Sequence, residues 1–374
     1  MTMLVTLSIA LSACSSLPEA AFDPPITETL KQRITKARNA IIETRRTLAR
    51  ATGSVYVQEL KIRLGELLSD EARAHYQVAR AREGISNKAL QVPQVKTLKQ
   101  QAVIVYEEFL ESHPHSPLRS RALFNMGQEY RELGDYDKMR ESFETLVSEQ
   151  PKHPLTLEAL LVLGGDYFDR NKLEEAAKRL EKITQGPLHK VSGLAHYKLA
   201  WVRVNQDQCV DAIKSFESAI KASKRWLKLS KKARKKGKMS SSVEGTEFDI
   251  RREALVDLVF CYSKERPEKG AVKHLNKLAY DRGPLVASLE KLSRRYIILE
   301  RSEGLKDASR VLLDLGPDSP RRRGDAENLH GAIKKLKDYQ NVGDDVKRLT
   351  DTFTRAVRSA GLTEAERASV LMRF

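Results

Sequence analysis

The sequence predicts an all-α chain folded as a helical-repeat solenoid. Apolar residues recur three and four positions apart along most of the 374 residues, and no stretch of any length alternates with the period of a strand. A helical pair also recurs at a spacing of 36 to 37 residues, read from Gly127 to Gly164 to Ala200. The length suits one elongated or two compact domains. With 31% charged and 41% hydrophobic residues, the main body is expected to be water-soluble and rich in surface.

The repeat is clearest from Ser120 to Pro151. Leu123, Met126, Gly127 and Tyr130 share one helical face. Gly134-Asp135-Tyr136 makes a turn, Met139, Phe143 and Leu146 follow at helical spacing, and Pro151 closes the unit. A second unit places Leu160, Leu163, Gly164 and Tyr167 on its first helix, and Ala176, Leu180 and Ile183 on its second. A third has Leu199-Ala200, then Ala212, Phe216 and Ala219. This pattern resembles the tetratricopeptide repeat, which sets Leu-Gly and Tyr in helix A, then Ala and Phe in helix B, and ends on Pro. Met139 stands where the family has Ala. The resemblance implies that Gly127, Gly164 and Ala200 let helix B approach helix A, with Tyr130 and Tyr167 on the same face. It also implies that Ala176, Ala212, Phe143 and Phe216 interlock with the following unit. A single unit cannot bury its apolar face, so several must stack.

Weaker units flank this centre. Upstream, Gln58 to Arg82 with Leu64-Gly65 reads as a helix A, and Ala102, Tyr106 and Phe109 as its helix B, with an insertion that includes Pro93 between them. Downstream, Leu255, Leu258 and Tyr262 pair with Ala271, Leu275 and Leu278. Leu292, Tyr296 and Leu299 pair with Ala308, Leu312 and Leu315. A degenerate pair spans about Ala326 to Ala360. The tetratricopeptide-like solenoid is therefore expected over 55–360, followed by a tail at 361–374. Ahead of it, 27–54 is a helical segment with Leu30, Ile34, Ala37, Ile41 and Leu48 on one stripe; it either caps the solenoid or pairs with a partner helix.

The N-terminus adds an address. An apolar run from Met3 to Leu11 leads into Ser12-Ala13-Cys14. This order resembles the lipobox of bacterial lipoproteins, although Met1 to Ala13 lacks the basic residue of a secretory n-region. The resemblance implies a signal peptide at 1–13, lipid on Cys14 and a tether at 14–26. Ser15 in place of Asp then points to the outer membrane, with the body facing the periplasm. The remaining cysteines, Cys209 and Cys261, either pair in that oxidising space or sit apart in the core.

The net charge is +16, which favours anionic partners. Its densest source is an insertion at 221–246, where Lys221 to Lys238 holds ten basic residues and no acidic one. Its first half extends a helix B; its second half is expected to be solvated or disordered. Lys224, Arg225, Lys228, Lys231, Lys232, Arg234, Lys235 and Lys236 form either a contact for anionic envelope polymer or lipid, or a plain solvated overhang. Export makes nucleic acid an unsuitable partner. Arg321-Arg322-Arg323 reads as a solvated turn.

No catalytic motif is present: there is no G-x-S-x-G, H-E-x-x-H or P-loop. His113 and His115 flank Pro114 without further metal-ligand spacing, so neither metal nor cofactor is expected. The family resemblance implies a concave groove lined by helix A, holding envelope proteins or peptides. The predicted function is a non-enzymatic, membrane-tethered scaffold or adaptor. The architecture, with phrases such as Arg252-Glu253-Ala254-Leu255-Val256-Asp257-Leu258-Val259, is loosely similar to motility-associated tetratricopeptide lipoproteins of myxobacteria. The alternatives are an outer-membrane or cell-wall assembly factor and, less in keeping with the motifs, a repeat-scaffold wall enzyme.

Overall fold

The computed structural model describes residues 24–51, 56–83, 92–236, 249–316, 319, 321–339, 342–358 and 363–366. These form fifteen α-helices of eight residues or more, with no strand among the described residues. The fold is an all-α helical repeat. Cys14 and the rest of the lipobox-like run lie outside the described residues.

The chain divides into two compact units, Met1–Ala159 and Leu160–Phe374. The first holds α1 (Pro24–Arg50), α2 (Val57–Glu83), α3 (Pro93–Ser112), α4 (Arg119–Leu133) and α5 (Tyr136–Glu149). The division falls inside α6 (Pro154–Asp169). The second unit continues with α7 (Leu173–Thr184), α8 (Ser192–Asn205), α9 (Cys209–Lys235), α10 (Arg251–Glu265) and α11 (Ala271–Leu278). It ends with α12 (Arg282–Ile298), α13 (Ser302–Leu315), α14 (Arg322–Leu336) and α15 (Gly343–Arg358).

The helix boundaries follow from local chemistry. Pro93 and Pro154 open α3 and α6, where a missing N–H costs nothing. Pro93 is thus the first residue of a helix B rather than part of the insertion. Gly134 ends α4 in the left-handed region at φ +80°, and the Asp135 carboxylate accepts the Lys138 N–H at 3.1 Å to start α5.

That turn recurs in a form the sequence hides. Asn171 and Asp207 (both φ 57°), and Glu300 and Lys337 (both φ 53°), hold the same left-handed position between helix A and helix B. In each case the next residue's N–H reaches back to a carbonyl five residues earlier, as from Lys172 to Tyr167 at 2.8 Å and from Arg301 to Tyr296 at 2.9 Å. Gly134, Asn171 and Asp207 are 37 and 36 positions apart, and Glu300 and Lys337 are 37 apart. The α10–α11 turn departs from this pattern: Arg266 is extended and Gly270, at φ +87°, precedes α11.

In the first unit, α1 lays Ile41 into a core with Ile62, Leu68, Tyr106 and Phe109. Its less exposed residues are the predicted stripe, so this helix covers the repeats, although it begins at Pro24, inside the stretch expected to be tether. The second unit's main core runs from Ala200 through Phe216, Leu258 and Leu289 to Leu312. A smaller one joins Leu313, Leu329, Leu349 and Phe353. Leu299 lies just beyond α12 and is exposed, because the turn at Glu300 carries it out of the apolar stripe.

Arg322 corrects the expectation of a solvated turn at Arg321–Arg323. It is 2% exposed, donates to Glu290 Oε1 at 3.0 Å and pairs with Asp325. Burial pushes the Asp325 carboxyl up to about 6, against the pull of Arg322.

Candidate functional site

The repeat-packing residues hold helix pairs at close range. A Cβ added to Gly127 would lie 2.7 Å from Phe143 Cε1, and one on Gly164 would lie 2.7 Å from Leu180 Cγ. Phe143 also meets Phe124, with centroids 5.7 Å apart. Its ring therefore fills the gap in its own unit's helix A. Phe216 does the same, edge-on to Tyr197 and Trp201 of α8. Ala176, Ala200 and Ala212 are fully buried. Tyr130 is buried, and its hydroxyl hydrogen-bonds Glu107. Tyr167 is half-buried beneath Arg179.

Gly65, read in the sequence as the helix A glycine of a weaker unit, follows the same rule, and one mirror case escaped the spacing. Gly65 of α2 lies against Tyr106, whose Cζ would be 2.4 Å from an added Cβ. Gly304 of α13 lies against Tyr296, at 2.3 Å from Cε2. In the second pair the glycine is on helix B and the aromatic on helix A, so a search for glycine on helix A alone passes over it. Gly65→Ala should lower stability by about 2 kcal/mol, because the buried ring has nowhere to move and overpacking outweighs the helix-propensity gain of about 1 kcal/mol. Gly331→Ala, with nothing within 4 Å, should raise stability by up to ~1 kcal/mol. Urea unfolding of the two variants checks the opposite signs; a stabilised Gly65→Ala would mean the pair is not close-packed.

The helix A surfaces of the second unit are joined by a polar ladder. Asp257 of α10 accepts the Tyr197 hydroxyl of α8 at 2.7 Å and the Lys291 ammonium of α12 at 2.8 Å. Burial, together with the hydrogen bond to Asp257, pushes the Tyr197 phenol up to about 12, so it stays a donor. Arg295 continues the ladder, donating to Ser263 and covering the Phe260 ring. In the first unit, Arg121 of α4 forks onto Glu66 of α2 at 2.7 and 2.8 Å and also reaches Glu59. In the same unit, Lys99 is buried 3.0 Å from Glu129, which also meets Ser69 at 2.7 Å. The sequence signal for Lys99 was a lysine on the stripe of Val95, Ala102 and Tyr106.

Of the two expectations for the second half of the basic stretch, solvated or disordered, the structure shows a solvated helix. α9 continues into that half as far as Lys235, and residues 237–246 lie outside the described residues. Lys224, Arg225, Lys228, Lys231, Lys232, Lys235 and Lys236 are exposed. Arg234 leaves the set, since it is half-buried on the opposite side of the helix. Cys209 and Cys261, left open by the sequence, are bonded, with Cα atoms 5.1 Å apart across α9 and α10.

A cavity of about 610 Å³ opens mainly among helices B, over Val272 and Val311, with Leu285 of α12 the one lining residue from a helix A. Its rim arginines are already engaged, Arg310 by Asp345 and Arg348 by Asp314. Most of its lining comes from helices B, so it is not the groove on helix A that the sequence led one to expect.

The Tetratricopeptide repeat family matches residues 120–153, which span α4 and α5. Those residues are a tetratricopeptide repeat. No curated protein matches the chain. Among solved structures, the C-terminal part of a TPR repeat-containing protein from Cytophaga hutchinsonii is 11% identical at a TM-score of 0.40, covering 86% of this chain and 99% of its own. PilF of Pseudomonas aeruginosa is 12% identical at a TM-score of 0.34, covering 82% and 99%.

The tetratricopeptide repeat at 120–153 thus ends beside Pro151, the residue that closes the unit in sequence. Met139 fills its Ala position and is 1% exposed. His113 stacks on Phe109 just ahead of it, and among the described residues no three His, Cys, Asp or Glu side chains are grouped to hold a metal ion. No described helix is long and apolar enough to cross a membrane. Tetratricopeptide repeats, of which residues 120–153 are one, generally hold protein partners.

Proposed function

We propose that the chain is a lipid-anchored adaptor of the bacterial envelope, holding a protein partner on its helix A face. The ladder from Tyr197 through Asp257 to Lys291 carries the scaffold reading. It fixes successive helices A to one another while leaving Lys198 and Trp201 partly exposed beside it. The Cys209–Cys261 bond supports an oxidising compartment, and the run ending in Cys14 supports export and acylation. Surface motility is the pathway we favour, on the loose similarity of the architecture to myxobacterial motility lipoproteins.

Triton X-114 phase separation tests the anchor. The tagged chain should enter the detergent phase and Cys14→Ser the aqueous phase; identical partition would remove the anchor. A photo-crosslinking side chain at Lys198 should capture an envelope protein, whereas the same group at Lys182, exposed on helix α7, should not. Equal adducts at both would sink the helix A reading.

A further inference from the structure

α9 is 27 residues long and its partner α8 only 14. The excess is held down rather than trailing. Gly193 at the start of α8 lies against Ser223, where an added Cβ would be 2.1 Å from Oγ. The Trp226 ring lies 6.1 Å from His189, and Ser230 is buried. Ser223, Trp226, Leu227, Ser230 and Ala233 thus make an inward stripe at helical spacing.

Two positions round the helix, the same spacing gives Lys221, Lys224, Arg225, Lys228, Lys231, Lys232 and Lys235, all exposed. At 1.5 Å per residue this face is a straight row of about 21 Å. Lys221 pairs with Glu217 at 3.3 Å, and the other six have no ion-pair partner among the described residues. The acidic residues nearest in sequence are Glu217 and Glu244. Like charges three and four apart repel along a helix, and an anionic layer outside would relieve them.

The chemistry of the row selects its partner. Six of its seven cations are lysines, point charges on flexible stems that suit a diffuse field. Discrete phosphate recognition would instead use arginine forks. Single-stranded nucleic acid would need an aromatic platform, and the aromatic here, Trp226, faces inward. Leu229, 52% exposed, flanks the row and offers it an apolar contact of the kind that enters a headgroup layer. We propose that the outward face of α9 docks on an anionic phospholipid surface. This contact does not depend on lipid at Cys14; if both operate, the chain has the two signals that stable anchoring requires.

The test is vesicle co-sedimentation of the full chain carrying Cys14→Ser. It should bind vesicles of equal phosphatidylglycerol and phosphatidylcholine, ignore pure phosphatidylcholine, and release at high salt. Changing Lys224, Lys228, Lys231, Lys232 and Lys235 to Gln should weaken binding at least about a hundredfold. Changing the same five to Arg should preserve it. A control replaces five other exposed cations, Arg33, Lys36, Arg50, Lys96 and Lys152, by Gln and matches the charge lost. It should bind within about threefold of the parent, since the effect is local to the row. Unchanged binding by the Gln variant, or an equal loss in the control, would overturn the proposal. So would loss of binding in the Arg variant. Parent that ignores the vesicles yet binds single-stranded DNA through the same lysines would also overturn it, in favour of nucleic acid. Circular dichroism confirms that each variant is folded.

Discussion

Reducing the Cys209–Cys261 bond should lower the stability of the second unit by about 4 kcal/mol, from the entropy regained by the chain loop it closes. The bond joins positions 52 apart, and both sulfurs sit in the core, with Cys209 3% and Cys261 0% exposed. For a unit of this size the loss corresponds to a fall in melting temperature of roughly 10 °C. Thermal unfolding followed by circular dichroism, with and without reductant, reads it directly. Cys209→Ala with Cys261→Ala should melt near the reduced protein and no longer respond to reductant. Cys14→Ser should leave the reductant response intact. A melting curve indifferent to reductant would show that the two thiols are separate core residues, and the argument for an oxidising compartment would lose one of its two supports.

Lys99→Met should cost about 3 to 5 kcal/mol, although it exchanges a charge for an apolar side chain of similar length. The reason lies in what it leaves behind. Glu129, 6% exposed, would keep only Ser69 as partner, while Glu132 of the same cluster can turn to water. An uncompensated buried carboxylate is far costlier than the pair is worth. Removing both charges, with Lys99→Met and Glu129→Leu, should therefore recover most of the loss. Urea unfolding of the two single variants and the double gives the coupling. Simple additivity would mean that the two side chains act independently.

The repeat was legible where the residues that make it are distinctive. Gly127 opposite Phe143 and Gly164 opposite Leu180 follow from small and large residues at fixed spacing, and the structure places each pair in contact. The stripe from Leu30 to Leu48 was equally plain, because an amphipathic period of 3.6 survives any choice of apolar residue. The turns were not. The left-handed position is a glycine at 134 but Asn, Asp, Glu and Lys at 171, 207, 300 and 337, so backbone geometry repeats where residue type does not. Asn and Asp tolerate that conformation through local hydrogen bonding, and Glu300 and Lys337 adopt it because the helices on either side require it. The basic stretch was legible only in part. Its charge density suggested that the half after Leu229 is solvated or disordered; its lysines are indeed exposed, yet Ser230 and Ala233 continue the inward stripe and keep the helix docked. On the candidate site, the ladder through Asp257 was hidden because its members come from three separate helices.

The disulfide has a topological effect as well as an energetic one. Between α9 and α10 the chain passes through residues 236–250, the longest departure from the repeat in the second unit. The sulfur bridge spans the two helices on either side of it. A single peptide cleavage anywhere in that passage would still leave one covalent molecule, with the cationic row on one fragment and the remaining repeats on the other. The continuity of the scaffold across that point is therefore carried twice, once by the backbone and once by sulfur.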